Sequence, residues 1–219
     1  MFDKPNIIPV KQKDINYIQE KGVEILIWKD GLKGEGRRYV GADVSRGIEQ
    51  SLSTAVCVDE DYNVIAVAHT RSLAPELWAE VIARMFRETN TSVVACENNS
   101  IGYSTVVELR RLIGDTQLYR QKLDDTRKLR PSDTFGFQTN GKTKEIIITK
   151  LQRDIGQTNI PSLFGELLSH LETYTTHDLM SDREKGSTGL RHNHDYVIGH
   201  AIGNFVATQP KERADISLL

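Results

Sequence analysis

The chain contains, at residues 39–43, the stretch Tyr39-Val40-Gly41-Ala42-Asp43, an apolar run that ends in a carboxylate. A short run of this kind favours a buried strand. A second run, Val93-Val94-Ala95-Cys96, ends in the same way at Glu97. Neighbouring parallel strands lie about 4.8 Å apart, so both acids would meet at the carboxyl edge of one sheet.

A third acid, Asp195, opens the apolar stretch Tyr196-Val197-Ile198. A helix that crosses the sheet edge would add this carboxylate from its first turn. Carboxylates so close together cannot all stay ionised unless cations neutralise them, which favours a divalent-metal site. Taken singly, each acid is better explained as a turn, loop or helix-capping residue.

Length and composition favour one folded domain. The chain has 219 residues, 38% of them hydrophobic, and a formal net charge of -2, which argues against a protein that coats nucleic acid. We expect a linker-like segment at residues 1–38, a folded domain at 39–208 and a tail at 209–219. Cys57 and Cys96 lie in apolar runs and are expected to be buried thiols in a reducing compartment. No secretory leader or membrane-length apolar run is present, so we expect a soluble protein that is not secreted.

Apolar periodicity gives the expected order of elements. Strands are predicted at 39–44, 54–59, 64–70, 92–96 and 116–123, and helices at 75–86, 105–113, 144–155, 163–174 and 195–208. Residues 124–140 are expected to be flexible, and 177–190 to form a hairpin or mobile loop. His200, inside an apolar helix, is expected to be a satisfied core or interface histidine. Antiparallel strands followed by alternating helices and strands predict an α/β fold, a ribonuclease H-like mixed central sheet with helices on both faces.

Four segments, taken in order, resemble the C-terminal nuclease domain of the large terminase subunit, the protein that packages DNA in tailed bacteriophages. They are YVGADVSRG at 39–47, ACENNSIG at 95–102, GFQTN at 136–140 with Thr-Lys at 143–144, and His-Asp at 194–195. Each motif alone is common, but four in this order are more specific. The resemblance covers roughly residues 25–208.

The resemblance implies roles for several residues. The implied catalytic and metal-binding acids are Asp43, Glu97 and Asp195; the implied DNA contacts are Arg46, Lys142 and Lys144, and His194 would serve in the outer shell. The implied cofactors are two magnesium or manganese ions, with Asp43 and Asp195 near a shared ion and Glu97 near the second. The chain departs from its relatives in two places, which leaves the number of ions open. Only Glu49 offers a carboxylate where many relatives carry a second aspartate, and Asp195-Tyr196 stands where relatives often have two aspartates.

The implied function is metal-dependent endonucleolytic cutting of viral DNA during genome packaging, in the cytoplasm of the bacterial host. Expected partners are double-stranded DNA, a terminase ATPase motor, a small terminase subunit and a portal protein, with no membrane partner. Nothing before Tyr39 is long enough to hold the motor, so the chain is expected to be a nuclease domain alone. Two alternatives stay open: a Holliday-junction-resolvase-like recombination nuclease, and a noncatalytic module that binds DNA or the portal.

A competing motif spans residues 136–143, where GFQTNGKT satisfies the pattern of a nucleotide-binding P-loop. Such a loop should follow a buried apolar strand. The preceding residues 129–135 are polar and include Pro131, which cannot donate to a central ladder. We therefore expect that this segment does not make the protein an ATPase.

Overall fold

A six-stranded mixed sheet forms the centre of the protein, whose computed structural model describes residues 2–45, 52–123, 132–180 and 195–209. In spatial order its strands are β2 (Ile15–Glu20), β3 (Val23–Trp28), β6 (Val64–Thr70), β5 (Ser53–Asp59), β4 (Arg38–Asp43) and β7 (Val93–Cys96). All neighbours in this sheet are antiparallel except β4 and β7, which are parallel. Two small pairs lie beside it: β1 (Asn6–Ile8) with β10 (Asn159–Pro161), and β8 (Arg120–Leu123) with β9 (Ser132–Phe135).

Helices cover both faces of the sheet. They are α1 (Pro75–Glu88), α2 (Gly102–Ile113), α3 (Gly141–Asp154), α4 (Gly165–Thr173), α5 (Thr176–Met180) and α6 (Asp195–Ala207). Alternate residues of the strands join two separate hydrophobic cores, one with α1 and α2 and the other with α3, α4 and α6. This arrangement confirms the predicted mixed sheet between two layers of helices. Within the described ranges, no helix has the length and apolar character needed to cross a membrane.

Residues 1–38 do not form the linker that the sequence predicted. β2 and β3 form a hairpin that extends the central sheet through the pairing of β3 with β6, and β1 pairs with β10. Arg38 holds the loop between β3 and β4 in place. Its guanidinium donates to the carbonyls of Leu32 (2.9 Å) and Gly34 (2.6 Å) in that loop and of Thr89 (3.1 Å) at the end of α1. The prediction failed because β2 lies at the sheet edge with polar residues on its exposed side, which masks the alternation of a strand.

Other local predictions meet the structure with mixed success. Residues 116–123 contain a short 3-10 turn before β8, and residues 132–135 of the supposedly flexible stretch form β9. The start of the predicted 177–190 loop belongs to α5, while 181–190 and the expected tail from 210 onward lie outside the described residues. Cys57 and Cys96 are free and buried as expected, and burial raises the pKa of the Cys57 thiol to about 11.

A helix packs very close to the central sheet at Gly41 in β4. A Cβ atom there would overlap the carbonyl oxygen of Gly199 and the amide nitrogen of Gly203, both in the α6 backbone. Glycines on both sides of the contact therefore let α6 lie directly on β4. Because Asp43 is two residues beyond Gly41 and Asp195 begins α6, this contact also sets where two of the acids meet.

His200, one turn after the start of α6, is fully buried. Neither ring nitrogen has a hydrogen-bond partner among the described residues, so the expected core position is confirmed but the expected satisfaction is not. Burial lowers the pKa of this imidazole to about 4, because the charged form loses its hydration in the core.

We predict that Gly41→Ala destabilises the protein by about 1–3 kcal/mol or more, as overpacking of a tight core does. The added methyl group would meet backbone atoms of α6, which cannot rotate away as a side chain can. Urea unfolding followed by circular dichroism measures the change. Gly34→Ala is the matched control, since a Cβ at Gly34 meets nothing within 4 Å. Equal midpoints for the two variants would contradict the tight contact.

A second prediction concerns the folding stability of the protein at low pH. The unfolded chain protonates His200 near its ordinary pKa of 6.5, whereas the folded protein resists protonation down to about pH 4. Folding stability contributed by this site is therefore lost as pH falls from 6.5 towards 4, by about 3 kcal/mol in full. His200→Leu should flatten the pH dependence of the unfolding free energy in that window. A variant with the same slope as the wild type would contradict a neutral buried imidazole.

Candidate metal centre

Two of the predicted acids lie at the carboxyl ends of β4 and β7, the parallel strand pair of the central sheet. β4 and β7 run in register up to Ala42 and Cys96, and the Glu97 amide donates to the Ala42 carbonyl at 2.8 Å. Asp43 and Glu97 therefore leave the same edge side by side. Their carboxyl groups lie within hydrogen-bonding distance of each other.

The third acid, Asp195, is hydrogen-bonded to β5 and to the residue just before that strand. The Leu52 amide donates to its Oδ2 at 2.7 Å, and the Thr54 hydroxyl donates to its backbone carbonyl at 2.9 Å. Thr54 is the cross-strand partner of Asp43. The first turn of α6 is thus fixed beside the row that carries Asp43, as the sequence predicted for a helix crossing the sheet edge.

Burial, together with nearby negative charge, raises the pKa values of Asp43 and Asp195. The pKa of Asp43 lies well above its ordinary value, first because the group is removed from water and then because of the negative charges of Glu97 and Asp195. Burial is also the main cause that raises the pKa of Asp195 to about 6, while the bond from Leu52 and the charge of Arg71 oppose it. A like-charged cluster of this kind is destabilised near neutral pH, and a bound cation would relieve the repulsion.

The three carboxylates are suitable ligands for a hard divalent cation, but as they stand they do not surround one ion. Carboxylate oxygens are the donors that magnesium and manganese prefer. Over the described ranges, no three Asp, Glu, His or Cys side chains are arranged to enclose one ion as they stand. The acids form a close pair, Asp43 and Glu97, with Asp195 beside it. Small side-chain rotations, water ligands or a substrate phosphate would have to complete any coordination sphere, as is usual for magnesium.

Asn99 supports Glu97, a role that sequence reasoning missed. Its side-chain amide donates to Glu97 Oε1 at 3.0 Å and to the Thr139 carbonyl at 2.6 Å. The neighbouring Asn98 donates to the Phe135 carbonyl at 2.7 Å. The two asparagines therefore fasten the acid to the loop that leads into α3. The Asn-Asn pair directly after Glu97 was the only available signal in the sequence.

Positive charge acts on one of the three acids, Asp195. Arg71, just beyond β6, and Lys144, in the first turns of α3, both act on the Asp195 carboxyl and favour its ionised form. Lys142 lies in the same first turn of α3 and is exposed. The other residues that the resemblance implied, Arg46 and His194, lie outside the described residues, as does Glu49.

The P-loop pattern does not have a P-loop structure. A phosphate cradle needs free backbone amides, but six amides of residues 136–143 already donate within the protein. The amides of Gly136, Phe137 and Gln138 donate to the carbonyls of Tyr119 and Cys96 and to the side chain of Gln121, respectively. The Asn140 amide donates to the Thr143 hydroxyl, and the amides of Lys142 and Thr143 donate to the Asn140 side chain. Asn140 caps α3 in the place that a phosphate would take. β9, which precedes the loop, belongs to a two-stranded pair and not to the central sheet. The structure therefore argues against nucleotide binding here.

No protein-family model matches the chain, and no curated protein matches it. Solved structures do. The large terminase nuclease from thermophilic phage G20c with bound magnesium has 14% sequence identity and a TM-score of 0.59, over 92% of this chain and 92% of that chain. The zinc-bound form of the same nuclease has 12% identity and a TM-score of 0.57, over 91% and 92%. The large terminase nuclease domain of Thermus phage P74-26 has 14% identity and a TM-score of 0.55, over 91% and 89%. The chain therefore has the ribonuclease H-like fold found in the nuclease domains of phage large terminases.

Proposed function

We propose that this protein is a divalent-metal-dependent endonuclease that cuts DNA during viral genome packaging. The observation that carries the proposal is the convergence of Asp43, Glu97 and Asp195 at one sheet edge, from β4, β7 and α6. The shared fold supports it, because relatives in structure include terminase nucleases with bound magnesium, zinc and cobalt. A fold alone does not establish a reaction, so the acids carry the argument.

The chemistry needs no covalent nucleophile. Two magnesium or manganese ions, when bound, would activate a water molecule, neutralise the phosphate and stabilise the departing 3′ oxygen. We assign Asp43 and Asp195 to one ion and Glu97 to the second. The Leu52 amide binds Asp195 Oδ2, and the Asn99 side chain binds Glu97 Oε1. Each bond leaves the other oxygen of that carboxylate for a metal.

DNA contact is assigned to the cations that border the acids. Lys142 and Lys144 lie near the start of α3, and the charges of Lys144 and Arg71 both act on Asp195. Arg46 is proposed as a further contact on the basis of its motif. Side chains of this type bind phosphate oxygens and do not distinguish bases, so we expect weak sequence preference. Choice of the cutting site would then depend on partners: an ATPase motor, a small terminase subunit and a portal protein in the host cytoplasm.

We predict that the purified protein nicks or linearises plasmid DNA in magnesium or manganese and does not do so in EDTA. Asp43→Ala, Glu97→Ala and Asp195→Ala should each lower the cleavage rate by at least about 100-fold, since each removes a proposed ligand. Gel electrophoresis of supercoiled plasmid measures the rate, and circular dichroism shows whether each variant remains folded.

Asp61→Ala is the control for that experiment, because Asp61 is an exposed acid in the β5–β6 turn. It should cut at the wild-type rate. Undiminished cleavage by all three folded active-site variants would reject the assignment. A strong preference for four-way junctions over linear duplex would instead identify a resolvase-like enzyme.

We also predict that Asp43→Asn stabilises the metal-free protein at pH 7 by about 0.5–2 kcal/mol, in the range of other single stabilising substitutions. The amide removes one of the repelling charges but keeps an oxygen for the Val44 amide, which donates to Asp43 Oδ1 at 2.9 Å. Manganese should raise the melting temperature of the wild type and of Asp61→Asn but not of Asp43→Asn. Thermal unfolding in EDTA and in manganese makes the comparison. Destabilisation in EDTA would argue against a repulsive cluster.

A further inference from the structure

Tyr196, the residue after the proposed ligand Asp195, is buried with 2% of its surface exposed. Its hydroxyl lies 2.8 Å from Nδ1 of His69 on β6. The Tyr196 side chain therefore points into the protein and does not serve as a metal ligand. Its backbone is bonded directly to that of Asp195. A buried tyrosine whose hydroxyl has one specific partner holds its own backbone in place as well.

His69 is in turn held by α4. Its Nε2 lies 3.2 Å from Oε2 of Glu166. With the hydrogen on Nε2, the ring accepts from Tyr196 and donates to Glu166, which completes a carboxylate–imidazole–phenol chain. The Tyr196 ring also meets two imidazole edges, with centroids 5.7 Å from His69 and 5.4 Å from His170. Contacts from β6 and α4 thus fix both the ring and the hydroxyl.

The sheet places this chain in line with the acids. Asp43, Thr54 and His69 are cross-strand partners on β4, β5 and β6, so their side chains point to the same face. Thr54 donates to the backbone carbonyl of Asp195, and His69 binds the hydroxyl of the next residue. The first turn of α6 is therefore hydrogen-bonded to two neighbouring strands. β5 binds the backbone carbonyl of Asp195, and β6 binds the side chain of Tyr196.

We propose that Tyr196, His69 and Glu166 form a brace that positions the Asp195 carboxylate for metal binding; the inference rests on the function proposed above. The three are positioning residues, since they act on the metal site through Asp195. Loss of the Tyr196 hydroxyl would remove the hydrogen bond between the first turn of α6 and β6, and would leave the bonds from Leu52 and Thr54 to Asp195 in place. Indirect supports of metal ligands are typically worth about 10–100-fold in metal affinity, and we expect the lower end for this more remote one.

The test compares Tyr196→Phe with Tyr39→Phe, which removes the hydroxyl of another buried tyrosine in the same hydrophobic core. Two readouts are independent of DNA cleavage. One is manganese affinity by calorimetry. The other is hydrogen exchange of the Leu52 amide by NMR, because that amide donates to Asp195 Oδ2 and reports directly on the carboxylate. Tyr196→Phe should weaken manganese binding about tenfold and speed Leu52 exchange, while Tyr39→Phe changes neither.

A second pair of variants separates positioning from general stability. His69→Ala should reproduce both effects of Tyr196→Phe, and His69→Gln should recover part of each, since its amide offers an acceptor to Tyr196 and a donor to Glu166. Unchanged Leu52 exchange in both Tyr196→Phe and His69→Ala would overturn the brace. If the wild type binds no manganese, the proposed function fails, and Leu52 exchange still decides whether the brace exists.

Discussion

The backbone of α6 lies directly on β4 because Gly41, Gly199 and Gly203 have no side chains to keep the two apart. This contact is close to the acids: Asp43 follows Gly41 by two residues on the strand, and Asp195 precedes Gly199 by one helical turn. A larger residue at Gly41 would lift the helix and carry Asp195 away from Asp43. The geometry of the site thus depends on a packing constraint in the core, where most of the α6 residues are buried.

The acids themselves oppose folding. Asp43, Glu97 and Asp195 lie close enough that burial and mutual repulsion raise the pKa values of two of them. The surrounding structure tolerates this because it is strongly held elsewhere, by the paired strands β4 and β7 and by the bonds from Leu52 and Thr54 to Asp195. Destabilisation concentrated at one edge of an otherwise well-packed sheet is typical of functional sites.

The sequence predicted the parts of the site that follow from strand ends. Asp43 and Glu97 each terminate a short apolar run, and parallel pairing then brings them together without any detail of packing. The hairpin of β2 and β3 was missed because its edge strand has a polar exposed side. The supports from Asn99, His69 and Tyr196 were also beyond reach, since each depends on which side chains meet across distant segments. The P-loop pattern shows the opposite case, in which a local motif is overruled because its amides are used in tertiary hydrogen bonds.

The most direct test of the account is a crystal of the protein soaked in manganese and measured for anomalous scattering. We predict an anomalous peak about 2.0–2.3 Å from carboxylate oxygens of Asp43 and Asp195, and a second peak at the same distance from an oxygen of Glu97. A full-occupancy manganese ion elsewhere on the molecule, with these three acids unchanged and unliganded, would contradict the central claim.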